Sequence, residues 1–96
     1  MEPIKENAAL PLGRVVATIG ALTALAEDGH DGRDYLERHR HGDWGDLCAD
    51  DHQANVDALR HGDRLLSSYR LPTGAKLWII TEADRAATSL LLPEDY

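Results

Sequence analysis

At Arg64 the hydrophobic period of this 96-residue chain changes from helical to two, and that switch limits the folds open to it. Downstream, Leu65, Ser67, Tyr69 and Leu71 point one way, and Leu66, Ser68 and Arg70 point the other. Pro72-Thr73-Gly74 is turn chemistry. Lys76–Thr81 is apolar on both faces, as in a central strand, so Trp78 is expected to pack against a helix. Glu82–Arg85 is a polar turn, and Ala87–Leu92 is a further strand stopped by Pro93. Strands joined by turns this short pair antiparallel.

Upstream the signals are helical. Gly13–Thr18 is β-branched and reads as a strand or an extended lead-in. Thr18 then caps a helix over about 19–28, with Leu22, Leu25 and Ala26 at helical spacing. Asp31 followed by Asp34 is a loose capping box for a second helix ending near His41. Asp50 or Asp51 caps a third, in which His52, Asn55, Val56 and Leu59 fall on one face, and Gly62 closes it. The expected fold is α+β: about three N-terminal helices packed on one face of a three- to four-stranded antiparallel sheet. Residues 12–96 make one domain, behind a flexible leader over 1–11.

Charge is segregated along the chain. Glu27 to Asp63 holds eleven acids against four arginines, which is the whole net charge of −7, and all five histidines. That balance disfavours direct binding to DNA or to an anionic membrane. No segment approaches the run of about 20 apolar residues that spans a bilayer. The single thiol, Cys48, fits a reducing, cytoplasmic setting.

Several groupings bear on chemistry. Asp43, Asp46, Asp50, Asp51 and Asp57 form an acidic band beside Trp44. Such a band reads either as a contact surface for a basic partner or as a solvated face with capping aspartates. Trp44 either pins its loop to the core or meets a partner. Arg64, Arg70, Glu82, Asp84 and Arg85 form a second cluster. Its arginines converge on a phosphate if they share a sheet face, or make cross-strand ion pairs. His39 and His41 are two apart on a helix and point to different sides, so no metal and no cofactor are expected. They read as helix-end histidines near the dipole. Cys48, with acids rather than cations around it in sequence, reads as structural.

Gly42-Asp43-Trp44-Gly45-Asp46-Leu47, Arg64–Tyr69, Leu77–Arg85 and Leu92-Pro93-Glu94-Asp95-Tyr96, in that order, resemble a family of small bacterial proteins labelled hypothetical or plasmid-related. The resemblance runs from about Leu12 to Tyr96. It implies a mobile-element setting, where anti-restriction and other anti-defence genes are neighbours, and it carries no reaction and no catalytic residue. The tail from Asp63 to the turn after Thr81 also resembles the barnase-type ribonuclease arrangement. That likeness implies Arg64 and Arg70 as phosphate-binding groups and Glu82 or Asp84 as a catalytic carboxylate. Such a site has a general-acid histidine at the last turn, where this chain reads Glu82-Ala83-Asp84-Arg85-Ala86. The expectation is therefore a small acidic, non-enzymatic interaction protein. Its partner would be a basic host protein or a nucleic-acid-binding defence complex, met as an anti-restriction or anti-CRISPR protein meets its target. The alternative is a barnase-like ribonuclease toxin.

Overall fold

A computed structural model describes residues 9–29 and 31–96. Most of the expected leader lies outside the described residues. Within them Leu10 is already buried and its N–H donates to the Arg40 carbonyl, so packing begins ahead of Leu12. The elements in order are β1 (Arg14–Ala17), α1 (Ile19–Glu27), α2 (Arg33–Arg40), α3 (Ala49–His61), β2 (Leu65–Arg70), β3 (Lys76–Thr81) and β4 (Ala87–Leu91), with a 3₁₀ turn at Pro93–Asp95.

The sheet order is β1-β4-β3-β2. The β2–β3 and β3–β4 pairs are antiparallel, as the short turns require, and β3 is central. The sheet as a whole is mixed, because β1 pairs parallel with β4, Arg14 opposite Ala87 and Ala17 opposite Leu90. The helices are correspondingly not N-terminal; they lie between β1 and β2. The cause is the crossover. Three helices bring the chain back to the end of the sheet where β1 began, so β2 runs in the direction of β1. Two reversals later β4 has that direction again.

Residues at the helix starts follow capping chemistry. Thr18 Oγ1 accepts from Ala21 N–H (3.0 Å) at the head of α1. Asp31 accepts from Arg33 N–H (3.0 Å) ahead of α2, where Gly32 is the N-cap. The N-cap of α3 is Cys48, two residues before the expected Asp50; Asp50 and Asp51 instead fill the first turn, where their charge favours the helix dipole.

All three helices lie on one side. Ala21, Ala24 and Leu25 of α1 and Tyr35 of α2 pack with Tyr69, Leu77, Ile79 and Leu90. Ala58 of α3 packs with Leu10, Trp44 and Leu65. Between these groups runs a buried hydrogen-bonded chain. His39 Nδ1 meets Ser67 Oγ (2.6 Å), and Nε2 meets Thr81 Oγ1 (2.8 Å). Thr81 Oγ1 meets Thr88 Oγ1 (2.8 Å), which donates to the Leu12 carbonyl (2.8 Å). That last bond sets the two before it: Thr88 accepts from Thr81, and Thr81 from His39 Nε2–H. The ring is neutral at pH 7 because it is buried, and Nδ1 then accepts from Ser67. Burial pushes its pKa down to about 4, and His39 is a core residue (1% exposed), not a dipole-charged helix end.

The opposite face carries Leu66, Ser68, Trp78, Ile80, Ser89 and Leu91. Trp78 belongs here, so it does not pack against a helix as expected. Its ring meets Tyr96 edge-on (5.9 Å), and Tyr96 also accepts from Arg64 Nη1 (2.8 Å). The segment after β4 thus folds back over the middle of this face, and that is why β3 is apolar on both sides.

Candidate functional site

The free edge of β2 positions the acidic loop. An edge strand exposes alternate N–H and C=O groups, and here those of Leu66 and Ser68 are satisfied from outside the sheet. Asn55, buried on α3, donates Nδ2 to the Leu66 carbonyl (2.7 Å) and accepts from Leu66 N–H at Oδ1 (3.0 Å). Ser68 N–H donates to the Trp44 carbonyl (3.1 Å), and Asp46 N–H to the Ser68 carbonyl (2.6 Å). Between those two bonds Gly45 sits at φ +75°, where a Cβ would collide with the Ser68 carbonyl and the Tyr69 ring. Trp44 (7% exposed) anchors the loop from below, its ring edge-on to His52 at 5.0 Å.

Arg38 shapes the loop from the other side. Its Nε donates to Asp43 Oδ2 (2.7 Å), and its guanidinium lies 4.6 Å from the Tyr69 ring centre. The Arg38 bond holds the Asp43 carboxyl below its ordinary pKa. Tyr69 donates its hydroxyl to the Asp43 carbonyl (2.6 Å), and burial raises its pKa to about 12. These groups, with Gly45, Asp46 and Arg70, line an open cleft of about 360 Å³.

The acidic band divides into two kinds of residue. Asp43 is neutralised by Arg38. Asp46, Asp50, Asp51 and Asp57 are exposed and have no cation partner among the described residues; Asp57 accepts from Gln53 Nε2 (3.1 Å). Of the four arginines in the acidic stretch, Arg33, Arg38 and Arg40 are paired with Asp31, Asp43 and Glu37. The bases outside it fall elsewhere. By strand alternation Arg14, Arg64, Arg70 and Lys76 belong to the sheet face opposite the helices.

The second cluster is dispersed. Arg64 and Arg70 do share a face, but six residues of extended chain separate them by about 20 Å, and Arg64 is engaged by Tyr96. Arg85 turns away to the carbonyls of Asp63 (2.6 Å), Glu82 (3.1 Å) and Ala58 (3.3 Å), where it holds the end of α3. Asp84 accepts from Ala86 N–H (2.9 Å) within its own turn. No ion pair joins these arginines to Glu82 or Asp84 among the described residues. Nor do three histidine, cysteine or acidic side chains gather there as a metal-ligand group. Neither the Asn55 bridge nor the Ser67-His39-Thr81-Thr88 chain is among the sequence expectations. A polar residue on the inner face of a helix, aligned with a hydroxyl-bearing strand, is the pattern that reveals both.

No helix among the described residues is long and apolar enough to cross a membrane. No protein-family model, curated protein or solved structure matches the chain.

Proposed function

We propose that this protein is a non-enzymatic interaction domain that binds a basic protein through Asp46, Asp50, Asp51 and Asp57. One observation carries the reading: these four carboxylates are exposed and have no cation partner among the described residues, on a loop and helix braced against a sheet edge, while Arg33, Arg38 and Arg40 are held in internal pairs. Held on a fixed backbone, they present charge with little ordering cost. Long-range attraction then speeds association and makes it salt-sensitive. The family resemblance makes a nucleic-acid-handling defence protein the partner to try first, which the acidic protein would inhibit by occupying its basic groove. Trp44 serves by fixing the loop. The ribonuclease alternative gains nothing from two arginines at opposite ends of a strand and a histidine buried among hydroxyls.

The test is replacement of Asp46, Asp50 and Asp51 by Asn. Binding to the partner is expected to fall at least tenfold at low salt, with the thermal midpoint nearly unchanged. Undiminished binding by a folded triple variant would overturn the reading.

A further inference from the structure

The two edges of the sheet are treated differently. Asn55, Trp44 and Asp46 satisfy the outward groups of Leu66 and Ser68 on β2, whereas β1 is left open. Arg14 and Thr18 direct their N–H groups to the Ala86 and Leu90 carbonyls. By alternation Val15 and Ala17 turn theirs outward, and among the described residues nothing bonds them. Exposed apolar side chains crowd this same segment: Val15 (45%), Val16 (42%), Ile19 (83%) and Leu22 (55%). An open, apolar strand edge is a template for another strand.

We infer that β1 pairs antiparallel with β1 of a second copy of this chain, joining two four-stranded sheets across a two-fold axis. The strand is complementary to itself in one register. With Val16 opposite Val16 at the axis, Val15 faces Ala17 of the other copy on either side, and each of those pairs exchanges both of its hydrogen bonds. Arg14 then lies opposite Thr18 of the second copy. The Thr18 hydroxyl donates to Asp95 Oδ2 (2.6 Å), so each Arg14 arrives beside a carboxylate and no like charges meet. Charge does not oppose self-association at this place. Residues 12–26 carry Arg14 as their one charged side chain, whereas copies approaching through the acidic stretch repel. The inference is independent of the proposed acidic contact, which lies at the far edge of the sheet.

Sedimentation equilibrium from micromolar to near-millimolar protein tests it, together with Val16→Lys, which sets two ammonium groups against each other at the axis while substituting an exposed side chain. The wild-type chain is expected to reach twice the monomer mass. V16K is expected to stay monomeric with an unchanged circular-dichroism spectrum. Amide exchange at Val15 and Ala17 should slow as concentration rises. A wild-type monomer throughout, or a dimer that V16K leaves intact, overturns the proposal. So does protection of those amides that is independent of concentration, since it would mean that the chain covers its own edge.

Discussion

Neutral His39 ties stability to pH through a single ring. The folded protein holds this group at a pKa of about 4 against 6.5 for the free side chain, so between those values the unfolded chain binds more protons. Its contribution is full above pH 6.5 and is lost as pH falls toward 4. Moving from pH 7 to pH 5 is expected to cost about 2 kcal/mol, measured by urea unfolding. His39→Gln should flatten that dependence; an equal loss in the variant would place the titration elsewhere. The two tryptophans also differ. Trp44→Ala opens a cavity under the loop and is expected to cost about 3–5 kcal/mol. Trp78→Ala, on the face that the last residues cover, should cost clearly less in the same denaturation series. A reversed order would contradict the assignment of faces.

Elements were legible where the sequence pattern was local. The three helices, the alternation of β2 and the central place of β3 follow from periodicity, and Thr18 and Gly62 mark helix ends by chemistry that acts within one turn. What escaped depends on groups far apart in sequence. The parallel place of β1 is fixed by a partner more than seventy residues away, and a four-residue strand has too short a pattern to announce it. Trp78 in an apolar run looks the same whether a helix or a returning tail covers it. Asn55 looked like one polar position on a helical stripe. It is instead a side-chain substitute for a neighbouring strand, bonded to both polar groups of Leu66. Asn55→Ala leaves that buried N–H and C=O unpaired and is expected to cost about 2–4 kcal/mol. Hydrogen exchange at Leu66 should quicken more than at Ile79; equal acceleration at both would mean general loosening and would argue against a local edge cover.

As a whole the molecule is a two-layer body with unlike sides. Its helical side and β2 edge carry Asp46, Asp50, Asp51 and Asp57, its other sheet face carries Arg14, Arg64, Arg70 and Lys76, and its β1 edge is largely apolar and open among the described residues. Asp46, Asp50, Asp51 and Asp57 are marked by the sequence as one acidic band, and each of them is exposed in the fold. Asp43 and Trp44 were not separable from them, since only the fold reveals that Arg38 neutralises one and the core holds the other. A surface of this kind should bind through charge first, so raising salt is expected to lower the association rate more than it raises dissociation, read by surface plasmon resonance once the partner is in hand. The most direct measurement is affinity capture from host lysate on the wild-type chain, run beside the variant with Asp46, Asp50 and Asp51 replaced by Asn and eluted with a salt gradient. The account predicts one basic protein at stoichiometric yield on the wild type, released by salt and missing from the variant. Capture of the same protein by both, or by neither, would contradict it.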